Sequence, residues 1–330
     1  MALTADNWPI TAALLQFPGT KRDGTVVQDA EPSEWVDTFA EVREAGFSAV
    51  DITDSWIRPG DLSESRLDDL AQAAKDAGVT IPVISAIRRS VIDAETGDDN
   101  LAYSHRTIDA AAHLDMAVVS VGLHQALTPE QQKQLWFWTV EGHHDPEDDT
   151  ETWKKTVSRL QELGRHAEEV GILLSLEMYE DTYLGTGDSS ARLVQDIGMS
   201  NVGINPDVGN LVRLHRPIED WYSVFEKTLP YSNYWHVKGY IRDEDVARDS
   251  YVAMPSPMES GLINYRDAFK LAIANGFQGI ICAESYGGDG LSVCAANQDY
   301  LRGRILPKTE DYALGESKVT QRVVRATPSS

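Results

Sequence analysis

Basic residues are scarce. Only 29 lysines and arginines stand against 52 aspartates and glutamates, a formal charge of −23 over 330 residues. Such a surface repels phosphate backbones and argues against nucleic acid as a partner, and solubility alone accounts for the excess. Cysteine is scarcer still, with Cys282 and Cys294 the only two. Two nearby thiols build no disulfide framework. Long apolar runs are missing too: nothing approaches the roughly 18 residues of a membrane span. The opening Met-Ala-Leu-Thr-Ala-Asp-Asn-Trp has neither a basic n-region nor an apolar h-region. These absences predict a cytoplasmic location without membrane contact. No GxGxxG follows the first apolar run, which removes the main support for dinucleotide binding.

What is present is an ordinary globular composition, 42% apolar and 25% charged, long enough to bury a sizeable core. Short β-type runs alternate with helical patterns throughout, the mark of βα units and a parallel sheet. Strands are predicted at 10–15, 48–52, 81–87, 117–122, 172–177, 202–206, 234–238 and 279–284. Amphipathic stretches at 32–45 and 62–77 end at Gly46 and Gly78, the expected punctuation after a last helical turn. EAGF, DAGV, EVGI and ANGF repeat that hinge four times along the chain. Eight strands favour a closed α/β architecture, a (β/α)8 or TIM barrel, over 1–307. Long insertions follow strands 4 and 7, at 124–149 and 240–262, and should rise over the catalytic face. The acidic run 145–151 reads as a cap for the next helix. Beyond Pro307 apolar periodicity is lost, and 308–330 reads as an extended C-terminal tail.

Four residues stand out by position. Glu177 closes strand five (LLSLE), Asp207 follows strand six (VGINPD), His236 lies in strand seven (YWHVK) and Glu284 closes strand eight (IICAE). The first three are 30 and 29 positions apart, about one βα unit each. A barrel sets them at neighbouring points of its C-terminal rim, where barrel active sites lie. A charge finishing an apolar strand is costly unless paired or bound to metal. Three crowded carboxylates repel one another, and a divalent cation removes the conflict. One imidazole with three carboxylates suits Mn²⁺, with Mg²⁺, Co²⁺ and Zn²⁺ as alternatives. Unrelated salt bridges account for any one of the four; they account poorly for all of them on consecutive strand ends.

Weaker candidates surround this set. His124 ends strand four and either faces the site or holds a loop carbonyl. Lys238, two beyond His236, points to the same side by strand alternation and holds a sugar oxygen or neutralises a carboxylate. Arg242 clamps substrate oxygens or pairs with Asp243 or Asp245. Trp136 and Trp138 form a stacking wall for a sugar or aryl ring, or pack the insertion onto the barrel. Asp51 in strand two needs a partner inside the barrel. His105, His113, His166 and His215 fall in or near helical patterns and read as structural.

These residues resemble those of the xylose-isomerase-like barrels, sugar isomerases and keto-sugar epimerases among them. The resemblance covers about 8–307. Glu177, Asp207, His236 and Glu284 match the epimerases' single-metal set, and Arg242 matches an arginine six residues after the metal histidine. One run departs: the epimerases read Asp-x-x-His at strand six, where this chain has Asp207-Val208-Gly209-Asn210. That histidine helps hold substrate, so its absence argues against a plain ketohexose epimerase. Within the superfamily, NPDVGNL, YWHVKGY, EGHHDPED and the chain length are most similar to the α subunits of bacterial C-glycoside deglycosidases. This resemblance implies a small β subunit in a hetero-oligomer and an oxidised glycoside substrate, a ketone at C3 of the sugar. It implies His143 as the base, with His144 as the alternative. The implied reaction is metal-dependent lyase cleavage of the sugar–aglycone carbon–carbon bond. A keto-sugar isomerase or epimerase shares its enolate intermediate and is the alternative.

Overall fold

Glycine sets the handover from helix to strand. In the computed structural model, which describes residues 2–322, Gly46, Gly78, Gly171 and Gly276 all take positive φ, from +72° to +93°. They are the glycines of the four repeated hinges, and other residues are strained in that conformation. Each therefore ends a helix and turns the chain into the next strand.

The regular elements follow in order. The first are β1 (Ile10–Ala13), α1 (Pro32–Glu44), β2 (Ala49–Thr53), α2 (Glu64–Asp76) and β3 (Thr80–Ala86). Next come α3 (Gly97–His113), β4 (Val118–Gly122), α4 (Thr150–Glu169), β5 (Leu173–Glu177) and α5 (Gly187–Ile197). Then come β6 (Val202–Asn205), α6 (Gly209–Val212), α7 (Trp221–Thr228) and β7 (Tyr234–Val237). The chain continues through β8 (Gly239–Asp245), β9 (Ser250–Ser256), α8 (Tyr265–Ala274), β10 (Ile280–Ala283) and α9 (Gly290–Tyr300). All eight expected strands are present, with ends shifted by two residues at most. They form one parallel sheet in the order β6-β5-β4-β3-β2-β1-β10-β7, a (β/α)8 barrel. Its last joint, β6 to β7, has no full ladder. A single bridge pairs Ile204 with Ser232, and the Asn205 side-chain oxygen accepts the His236 amide at 2.7 Å.

Helices pack around the sheet with apolar stripes inward. On α5, Thr186 caps the start by accepting the Ser189 amide, and Leu193, Val194 and Ile197 are buried. Each such side chain contributes roughly 1.5–3 kcal/mol of burial. Within the barrel a small apolar cluster, including Ala13, Val83, Leu173, Tyr234 and Ile280, fills the lower interior. No described helix is long and apolar enough to cross a membrane.

Both insertions rise over the C-terminal rim. After β4 the chain makes two short turns, Gln131–Lys133 and Phe137–Thr139, before Asp149 caps α4 through the Glu151 and Thr152 amides. After β7 it forms an antiparallel ribbon, β8 against β9, with Ile241 opposite Met254. Charges in GYIRDED mask this ribbon in the sequence, since strands are depleted in acidic residues. At the opposite end, residues 308–322 cross the barrel floor without helix or strand. Lys318 donates its amide to Pro230, Thr320 donates to Ser200, and the Arg322 guanidinium bonds the Met116 carbonyl. The rest of the expected tail, 323–330, lies outside the described residues.

Candidate metal centre and active site

Four strands bring the four rim residues to one point. His236 Nδ1 lies 3.0 Å from Glu284 Oε2, 3.6 Å from Asp207 Oδ2 and 3.9 Å from Glu177 Oε1. All four side chains are buried. Both Asp207 oxygens and His236 Nδ1 are sealed from solvent without a hydrogen-bond partner. Orphaned polar atoms are expensive singly, and Asp207 Oδ2 and His236 Nδ1, 3.6 Å apart, call for a common partner. Burial, with crowding by Asp207 and Glu284 against the pull of His236, pushes the Glu177 carboxyl up to about 7. Burial opposes ionisation of Glu284 as well, but Lys238 and His236 hold it well below the usual carboxylate range. An imidazole and three carboxylates fit a divalent cation on chemistry and placement alike.

A surrounding layer fixes these donors. Asp51 Oδ2 accepts from Ser85 Oγ at 2.6 Å and Tyr234 OH at 2.5 Å, and lies 3.1 Å from His236 Nε2. A carboxylate at Nε2 keeps the proton there and leaves the Nδ1 lone pair for the metal. Asp51, His236 and Cys282 also lie close enough to suggest a second metal group. The donors crowding Asp51 make it an acceptor that orients His236 instead. Asn210, at the departing position of the Asp-x-x-Asn run, donates to Glu177 Oε1 at 3.2 Å and to the Met178 carbonyl. Lys238 Nζ sits 2.7 Å from Asp207 Oδ2, off the hydrogen-bond direction, and donates to Glu284 Oε1 at 2.9 Å. Three carboxylates and one ammonium leave a formal charge of −2, which a divalent ion balances.

Above this floor opens a narrow cleft with about 20 Å³ of free space, walled by Leu15, Ile87, Arg88, His124, Tyr179 and Tyr286. His124 is buried, stacks on Tyr179 with ring centroids 4.4 Å apart, and leaves Nδ1 without a partner. Burial, with the Arg88, Arg213 and Lys238 charges, lowers its pKa well below the usual imidazole value. Arg88 takes φ +53° just past β3 and donates to the Tyr179 hydroxyl at 3.1 Å. Behind Tyr179, Arg213 is fully buried, forms a two-pronged ion pair with Glu180 at 3.1 Å, and lies under Phe137, Trp138 and Tyr286.

The remaining candidates lie elsewhere. Trp136 and Trp138 stack at 5.0 Å, and Trp138 packs edge-on against Tyr286, a layer behind the cleft wall. Arg242 does not reach the cleft, because its guanidinium is spent on the Val212, Leu214 and Arg216 carbonyls and Glu244. His143 is exposed and outside the cleft lining. His144 pairs with Glu141 and Asp181 beside a separate rim cavity. His105 and His166 meet through Nδ1 atoms 2.8 Å apart, His113 pairs with Asp68, and His215 contacts the Trp138 carbonyl. Arg88, Tyr179, Arg213 and Tyr286 escape sequence reading. The one signal for Arg88, Tyr179 and Tyr286 is position just beyond a strand's C-terminal end, and Arg213, at the end of α6, lacks even that.

Residues 39–304 match the family model of the xylose isomerase-like TIM barrel, and the chain belongs to that family. A xylose isomerase-like TIM barrel protein from Mycobacterium smegmatis, crystallised with magnesium, is 44% identical over 91% of this chain and 97% of its own, with a TM-score of 0.87. D-psicose 3-epimerase from Clostridium cellulolyticum H10 is 13% identical over 91% of this chain and 99% of its own, with a TM-score of 0.61. A 3-keto-D-glucoside 4-epimerase from E. coli is 15% identical over 90% and 99%, also with a TM-score of 0.61. These two likenesses show the fold. No curated protein matches.

Proposed function

We propose that this chain is a divalent-metal-dependent enzyme that removes the proton beside the ketone of a 3-oxo-glycoside and so expels the aglycone. The convergence of Glu177, Asp207, His236 and Glu284 at the floor of a cleft carries this reading. Bound there, Mn²⁺ or Mg²⁺ supplies Lewis acidity that stabilises charge developing on a carbonyl oxygen. Asp51 and Asn210 orient the donors, and Lys238 offsets their excess charge. When the proton at C2 leaves, its bonding pair forms the enolate with C3. The oxygen pair then re-forms the C3 ketone, the C2 pair becomes the C1–C2 double bond, the C1–aglycone bond leaves with its pair, and the departing carbon takes up the proton removed from C2. Two features support an oxidised glycoside over a free ketohexose: the sequence resemblance, and Asn210 turned onto Glu177 where epimerases carry a substrate-holding histidine.

One observation favours the second reading, a keto-sugar isomerase or epimerase. Glu177 and Glu284 line the cleft, whereas His143, the base implied by the deglycosidase resemblance, does not. The test is to give metal-loaded protein a 3-oxo-C-glycoside and, separately, free ketoses. Aglycone release supports the lyase; epimerised ketose with no release from several such glycosides removes it. The small β subunit belongs to the same proposal. Co-expression with a small neighbouring gene product should raise the rate, and full activity of the lone chain would refute the need for a partner.

A further inference from the structure

His124 is an unspent group facing the centre. Its ring lies folded back over the β4 backbone, where a Cβ on Gly122 would come within 2.5 Å of both Cε1 and Nδ1. Glycine at that position therefore makes room for the imidazole. Stacking on Tyr179 holds the ring plane, and Tyr179 is in turn held by Arg88, whose left-handed backbone is of the kind found at functional sites. The ring shares the cleft with Glu177, His236 and Glu284, yet it belongs to no ligand set and its Nδ1 has no partner. Nδ1 is sealed against the Gly122 backbone, so Nε2, which makes no hydrogen bond among the described residues, is the nitrogen left for a group entering the cleft.

We propose that His124, and not the insertion histidines, takes the proton from the carbon beside the substrate ketone, a role that rests on the function proposed above. The C–H bond breaks, its pair forms the carbon–carbon double bond of the enolate, the carbonyl π pair moves to oxygen, and the proton goes to an imidazole nitrogen of His124. Burial, helped by the Arg88, Arg213 and Lys238 charges, keeps the ring neutral and ready to accept. The same charges favour early return of that proton, either to carbon or to the departing group.

Deuterium exchange separates this step from everything downstream. The metal-loaded full chain, alone and with its co-expressed partner, is placed in D₂O with a 3-oxo-glucoside, and label beside the ketone is followed by NMR. His124→Ala and His124→Gln should keep the parent's metal content while exchange falls by roughly two to four orders of magnitude. Added imidazole should restore part of the loss in His124→Ala. Parental exchange in a metal-replete variant overturns the assignment, and so does a loss that follows His143→Ala instead. A variant that sheds its metal shows that His124 only supports the ligands, which overturns it too. If the parent itself fails to exchange, the proposed function falls, and this role with it.

Discussion

Asp51 lies below the proposed metal ligands, and its carboxylate decides which imidazole nitrogen His236 presents to their shared centre. Asp51→Ala frees the ring to turn or change tautomer, and metal affinity should fall about 10–100-fold. Competitive titration with Mn²⁺ measures this, and an unchanged constant would show that Asp51 does not orient the ring. His124 gives a second test through pH. Its folded-state pKa lies well below the usual imidazole value of about 6.5, so its contribution is fully present above that pH. As pH falls below it the unfolded chain takes up the proton first and stability is lost. The thermal midpoint should therefore drop more steeply from about pH 7 to about pH 5 in the parent than in His124→Gln. Parallel curves would remove His124 from the linkage. The four proposed ligands were legible in sequence because each is a charged or imidazole group at the end of an apolar run. Arg88, Arg213, Tyr179 and Tyr286 were not, because cations and aromatics beyond a strand are ordinary loop residues until packing brings them together.

At the scale of elements, the βα repeat was readable because a left-handed glycine recurs at a fixed place between helix and strand. The β8–β9 ribbon was hidden, since its polar residues face solvent on a rim and leave little apolar alternation. Arg242 shows the same limit. Six residues after His236 is a fixed sequence distance, but the ribbon carries the guanidinium outward to tie down the segment after α6. Between insertion and barrel the joint is Asp145, which donates its amide to the Asp181 carbonyl and accepts the Tyr183 amide at 2.9 Å. Burial raises its carboxyl to about 6, against the pull of the Tyr183 amide. A raised acid stabilises the fold while protonated, and that contribution is lost as pH rises through about 6. Asp145→Asn keeps an acceptor for Tyr183 without the buried charge, so it should raise the thermal midpoint at pH 8 and change it little near pH 4. A lower midpoint at pH 8 would mean that the charge itself holds the insertion.

Across the whole molecule, chemistry and reinforcement occupy opposite ends. The strap at 308–322 touches the chain just before β4, β6 and β7, far from the cleft. Ending the chain after Pro307 removes those bonds and bares the floor. The thermal midpoint should fall by more than the roughly 2–4 °C that each kcal/mol represents in a chain of this size. Metal content should be unchanged, and an unaltered midpoint would show the strap to be ornamental. The incomplete β6–β7 joint has its own consequence. Glu177 and Asp207 reach the centre from β5 and the end of β6, whereas His236 and Glu284 come from β7 and the end of β10. Two donors thus stand on each bank of the gap, and whatever ion they share spans it. Hydrogen exchange at the Asn233 and His236 amides, which bond across that gap, should slow on metal loading far more than exchange in β3 or β4. The ion that activates a carbonyl would then also be the clasp that keeps this barrel round.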